Sequence, residues 1–187
     1  MKYRITTYLM LVALITLCVA SCNNADSKNT ALDVPSITVA SASLNENGRL
    51  MTATVANKNI NDPVGENESP QLTWDAVKDA TCYAVCMFDE DANWLHWLVI
   101  GLEQTELEQG AYTDPADYIG PYPPKNSGWH HYRIEVFALK QSPDAFTMKI
   151  DAKQAYADII AKLNKSSGGG NNILARGHVV GTHRNGD

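Results

Sequence analysis

Three strand-length segments limit what this chain can build. Residues 132–139 alternate, with Tyr132, Ile134, Val136 and Ala138 on one face and Arg133, Glu135 and Phe137 on the other. Residues 82–88 and 95–102 are apolar runs with β-branched and aromatic content, which read as buried strands. Weaker strand signals surround them. Residues 36–41 alternate, residues 50–55 follow the hairpin signal Asn47-Gly48, residues 71–74 follow a loop rich in Gly, Asn and Pro, and residues 173–182 form a last candidate. A single helix is predicted over residues 151–163, where Ala155, Ile159 and Leu163 recur at i, i+4 and i+8, and glycines in 166–172 end it. The expected fold is mainly β: a central antiparallel β-sandwich with one or two peripheral helices. The irregular stretch 103–129 is too long for a simple connector, so it is expected to carry function.

The N-terminus is expected to lie outside the fold. Lys2 and Arg4 precede an apolar run at 8–20, shorter than the roughly 20 residues that span a bilayer, and the pattern reads as an export signal. The run ends in Val19-Ala20-Ser21-Cys22, small residues before a cysteine that resemble a bacterial lipobox. The reading is cleavage before Cys22 with lipid on its thiol, against the alternative of ordinary signal cleavage beside a free cysteine. Residues 1–21 are therefore the signal, 22–34 a polar tether and 35–187 one domain. The expected location is the bacterial cell envelope, as a membrane-anchored lipoprotein in the periplasm or at the outer surface.

Losing Lys2 and Arg4 with the signal takes the net charge from −6 to −8. So acidic a chain is not expected to bind nucleic acid, which needs basic stripes to neutralise phosphates. Of the four cysteines, Cys82 and Cys86 remain in the domain. Four residues apart in a strand, their Cα atoms are roughly 13 Å apart. A disulfide requires less than about 7 Å, so both are read as buried thiols.

Polar residues gather at the ends of the strong strands. Asp89 and Asp91 close one strand, His96 opens the next across a short link, and His130 and Tyr132 open another after a loop rich in Gly and Pro. These five are expected to line one mouth, with both carboxylates pointing the same way. A carboxylate on one imidazole nitrogen fixes the tautomer and raises the pKa, and the other nitrogen then donates to a ligand. With the Tyr132 hydroxyl and N–H groups of loop 120–128, this set suits phosphate, carboxylate or a phospholipid head group. Other chemistries stay open here. Two histidines and an aspartate can form a metal triad, although no metal-ligand spacing is present. A serine hydrolase is a further alternative, but there is no G-x-S-x-G motif, and Ser127 lies in the right loop without an evident base. The histidines can also be simple polar residues at strand ends. His131 alternates away from His130, and His178 and His183 are read as structural or solvated.

Five ordered motifs carry a resemblance: Asn67-Glu68-Ser69-Pro70-Gln71-Leu72-Thr73-Trp74, Asp89-Glu90-Asp91-Ala92-Asn93, His96-Trp97, Gly120-Pro121-Tyr122-Pro123-Pro124 and His130-His131-Tyr132. In order and approximate spacing they resemble the phosphatidylethanolamine-binding proteins, also called Raf kinase inhibitor-like proteins, and the bacterial branch in particular. The resemblance covers residues 37–182. It implies a β-sandwich with peripheral helices and a pocket for anions and phospholipid head groups. The pocket residues it implies are Asp89, Asp91, His96, His130 and Tyr132, with Gly120 and Pro121 at the rim. It implies no catalyst, no cofactor and no metal, and leaves a protein partner open, since several members inhibit kinases or proteases. Glu90 and Asn93 stand where the family has prolines, His131 where it has Arg, and His178 and His183 where its bacterial ending has an acid and a Tyr.

Overall fold

The computed structural model describes residues 32–167 and 169–186. The expected signal, Cys22 and most of the tether lie outside the described residues. In chain order the elements are β1 (Val39–Ala40), β2 (Leu72–Trp74), β3 (Cys82–Asp89), β4 (Trp94–Leu102), β5 (Glu106–Leu107), β6 (His130–Leu139), β7 (Ala152–Lys153), α1 (Tyr156–Leu163) and β8 (Ile173–His183). They form two antiparallel sheets, a five-stranded one in the order β7-β4-β3-β6-β8 and a three-stranded one in the order β1-β2-β5.

All eight residues of β3 are buried, because it is central in its sheet and covered on both faces. On one face Tyr83, Val85, Met87, Trp97, Tyr132, Ile134, Val136 and Ala138 join Val39, Leu72, Trp74 and Leu107 of the small sheet in one core. On the other, Cys82, Ala84, Cys86, Phe88, Phe137 and Leu139 pack against Ile159, Ile160 and Leu163 of α1. This is the expected sandwich with a peripheral helix, and the alternation of 132–139 divides its side chains between the two cores as read. Cys82 and Cys86 are free and buried, as expected.

Two assignments change. Residues 50–55 do not form a strand: the turn at Asn47-Gly48 is present, and Leu44 bridges Leu50, but Thr52–Thr54 is a 3-10 turn. Its neighbourhood is tied to distant loops instead, with Ala53 O accepting from Glu68 N and Val55 O from Asn67 N. The helix starts at Tyr156, not at 151, because Ala152–Lys153 pairs with the edge of β4. Asp151 sits at φ 58°, outside helical geometry, and Ala155 is extended as the N-cap.

One buried charge carries a prediction. Glu135, 2% exposed, lies 3.6 Å from Arg176 through Oε1, while Oε2 has no partner among the described residues. Burial pushes its carboxyl up to about 7, against the pull of Arg176 and Arg133, and Glu90 adds to the rise. A raised carboxyl favours the folded state while protonated. That contribution is full below the ordinary value of 4.5 and is lost as pH rises through about 7. Glu135→Gln is therefore expected to stabilise the domain by about 2 kcal/mol at pH 8 and to be near neutral at pH 4. Urea unfolding at both pH values checks this. A variant less stable than wild type at pH 8 would show that the Arg176 attraction outweighs desolvation.

Candidate functional site

The β3–β4 hairpin and the start of β6 build one end of the large sheet. Asp89 pairs with Trp94 across the hairpin and with Tyr132 of β6, so its carboxylate stands beside the β6 face that carries His130 and Tyr132. Asp89 Oδ2 is 2.7 Å from His130 Nδ1, and Oδ1 accepts from the N–H groups of Asp91 and Ala92 at 2.9 Å each. One buried carboxylate thus orients the histidine and closes the hairpin turn.

His96 reaches the same end through a β-bulge. Met87 pairs with Trp97 but Phe88 pairs with Leu95, so His96 is the extra residue on β4. The bulge lets His96 and Trp97, neighbours in sequence, share a face. His96 Nδ1 lies 2.8 Å from Ile119 O, and Ile119 N donates to His96 O. A carbonyl only accepts, so Nδ1 carries the proton. Desolvation holds this histidine below its ordinary pKa, despite the Ile119 hydrogen bond and the Asp89 and Asp151 charges. It is therefore neutral, with Nε2 a bare acceptor. Donation to a ligand from this nitrogen would require a second proton on the ring.

A cavity of about 260 Å³ opens here, lined by Asp89, His96, His130 and Tyr132 together with Ile60, Asn61, Ala92, Trp94, Tyr122, Pro123, Pro124 and Lys153. Ring centroids of His96 and Tyr132 are 5.3 Å apart, and those of His96 and Tyr122 5.7 Å. The Tyr132 hydroxyl is fully buried and makes no hydrogen bond of full geometry among the described residues, although the Asp89 carboxylate lies within its reach. Burial drives its pKa far up, with the nearby Asp89 charge adding to the effect, so it stays a neutral donor. Tyr122 donates to Asp151 Oδ1, which also accepts from Trp94 Nε1 at 3.0 Å. That carboxylate holds two walls of the cavity in place.

Three residues expected at the site do not line the cavity itself. Asp91 Oδ2 accepts from His131 N at 2.7 Å and sits 3.0 Å from His131 Nδ1, so it turns to the histidine that faces away and does not line the cavity. Desolvation works against its ionised form, but the hydrogen bonds and charge of His131 prevail and lower its pKa. Gly120 gives its N–H to Asn67 Oδ1, and Pro121 O accepts from Ala56 N. Both support the loop from behind, just before Tyr122 and the Pro123-Pro124 pair that do line the cavity. Asn67 is the clamp: at φ 61°, it also donates to Thr113 O and Tyr118 O.

Lys153, Asp151 and Tyr122 were missed as site residues. Lys153 and Asp151 were absorbed into the helical reading, and only the pairing of β7 with β4 brings them to the site. His183 is buried in β8 opposite His130, which fits the structural one of its two readings. Donor atoms of Asp89, Asp91 and His130 fall within 4.8 Å of one another. A metal there would have to displace the His130 and His131 contacts these carboxylates already make.

A family model described as phosphatidylethanolamine-binding protein matches residues 40–182. A UPF0098 protein of Aquifex aeolicus is 26% identical over 140 residues, covering 64% of this chain and 76% of the relative. The provisionally named lipoprotein LppC of Mycobacterium tuberculosis is 32% identical over 111 residues, covering 50% of this chain and 55% of LppC. The chain spans about half the length of the curated relatives it matches first. Among solved structures, E. coli YbcL, described as a member of the mammalian PEBP family, aligns with TM-score 0.58 at 24% identity, over 79% of this chain and 98% of YbcL.

Proposed function

The chain belongs to the phosphatidylethanolamine-binding protein family, and from that premise we propose that its domain holds a small anion, such as the phosphate of a phospholipid head group, between His130, Tyr132, His96 and Lys153. The supporting observation is the Tyr132 hydroxyl, buried in the cavity wall without a hydrogen bond of full geometry. An unmet buried donor costs about 1–3 kcal/mol, which a ligand oxygen would restore. His130, fixed by Asp89 through Nδ1, presents Nε2 as an acceptor for a protonated phosphate oxygen, and Lys153 adds a positive charge. A cavity of about 260 Å³ suits a head group and leaves acyl chains outside, against the apolar Ile60 at the mouth. We place the protein in the cell envelope, tethered by lipid on Cys22. The basis is the signal-like N-terminus and the likeness to a relative named as a lipoprotein.

Binding is expected to depend on pH. Neutral His96 must take up a proton before Nε2 can donate to an anion, so anion binding and protonation support each other. Phosphate affinity is then expected to rise as pH falls from 8 to 6, by up to about tenfold per pH unit for one proton taken up. A head-group ammonium or hydroxyl would instead donate to the bare Nε2, and its binding would not strengthen as pH falls. Histidine NMR shifts during titration with phosphate, acetate and phosphoethanolamine test both points. No shift at His96 or His130 with millimolar ligand would overturn the proposal.

A further inference from the structure

Ser127 has the partner that its sequence context concealed. Its Oγ lies 3.0 Å from His130 Nε2, and His130 Nδ1 lies 2.7 Å from Asp89 Oδ2. Hydroxyl, imidazole and carboxylate are joined in line, with the base in reach of the hydroxyl and a third group orienting the base. The histidine and aspartate are buried while Ser127 is exposed, so the proton acceptor is shielded and the oxygen is open to approach. Asn126 at φ 66° and Gly128 at φ 89° flank the serine, both left-handed, and set it at the tip of a tight turn. The hydroxyl has one proton and two neighbouring acceptors, His130 Nε2 and Pro124 O at 2.8 Å. Rotation toward His130 gives the arrangement of an activated nucleophile. The Gly128 N–H, next in the chain, enters no hydrogen bond among the described residues, and is available to a developing oxyanion.

The geometry points to Ser127 as a nucleophile toward small carboxylic esters that approach the exposed loop beside the head-group cavity, with the cavity-lining His130 as base and Asp89 as its orienting group. It rests on the same cavity as the binding proposal and adds a reaction to it. Ser127 Oγ attacks the ester carbonyl carbon while its proton passes to His130 Nε2. The bond to the alcohol oxygen breaks, and His130 returns the proton to the departing alkoxide. Water then adds to the acylated serine, giving its proton to His130, and the carboxylic acid leaves as Ser127 regains a proton. No oxidant, metal or further reactant is needed.

With one candidate oxyanion donor, turnover is expected to be slow, so covalent capture is the direct test. The full-length protein is treated with a fluorophosphonate probe at pH 8, and the adduct is followed by intact mass and peptide mapping. Attack by Ser127 forms an O–P bond and releases fluoride. One adduct per chain on Ser127 is expected, absent in Ser127→Ala and forming at least about 100-fold more slowly in His130→Gln. Millimolar phosphate should slow labelling of the wild type. No adduct, or one that survives Ser127→Ala, overturns the assignment. Ser127→Ala alters an exposed loop, and its phosphate-induced His96 shift reports that the domain is intact. Phosphate shifts without labelling would remove the nucleophile and leave the binding site, whereas Ser127 labelling without phosphate shifts would do the reverse.

Discussion

Gly120→Ala is expected to destabilise the domain by more than about 3 kcal/mol, measured as a drop in the urea midpoint with an unchanged slope. A Cβ at this position would sit 2.2 Å from Thr54 O, 2.5 Å from Ala56 N and 2.6 Å from Val55 C. All three are backbone atoms, so no side-chain rotation relieves the overlap. Nor can either segment easily withdraw. Ala56 N donates to Pro121 O, the Tyr118 hydroxyl donates to Thr54 O at 2.6 Å, and Gly120 N donates to Asn67 Oδ1. Separation would break these buried bonds and shift Tyr122, a cavity wall two residues on. A loss below about 1 kcal/mol would mean that the loop yields, and that the glycine serves the cavity rim as first expected and not this packing.

The same glycine shows what the amino-acid pattern discloses and what it conceals. Strands β3, β4, β6 and β8 were legible because each is long enough for burial to leave a pattern, and β3, covered on both faces, shows a continuous apolar run. Residues 50–55 were misread because a hydrophobic strand pattern and a loop whose groups are satisfied by distant segments look alike locally. The helical period of 155–163 was extended too far back, since nothing in composition marks Asp151 as left-handed or Lys153 as a ladder partner of Trp94. At the site, Asp89, His96, His130 and Tyr132 converge as expected, but their pairing was not legible. Cross-strand register decides it: Asp89 lies opposite Tyr132 and reaches His130, while Asp91, beyond the strand end, meets His131. The bulge at His96 and the contact of Ser127 with His130 are likewise features of pairing and turn geometry.

Asp89→Ala is expected to have the largest combined effect, about 3–5 kcal/mol of stability and at least about a 100-fold loss in phosphate affinity. The residue is 3% exposed, and its carboxylate serves two sets of donors at once. Removing it leaves the N–H groups of Asp91 and Ala92 without their acceptor and frees the buried His130 ring to rotate. Asp89→Asn separates the two roles. An amide keeps one oxygen for the turn N–H groups, so most of the stability should return. Its NH₂ then faces His130 Nδ1, and two donors cannot share a hydrogen bond. The ring must present Nδ1 as an acceptor, so its proton moves to Nε2, which can no longer accept from a protonated phosphate oxygen. Phosphate affinity in Asp89→Asn should therefore stay close to that of Asp89→Ala while the urea midpoint moves back toward wild type. Parallel recovery of both quantities would show that Asp89 acts only through the hairpin turn. Recovery of neither would place the whole effect in the buried charge pair.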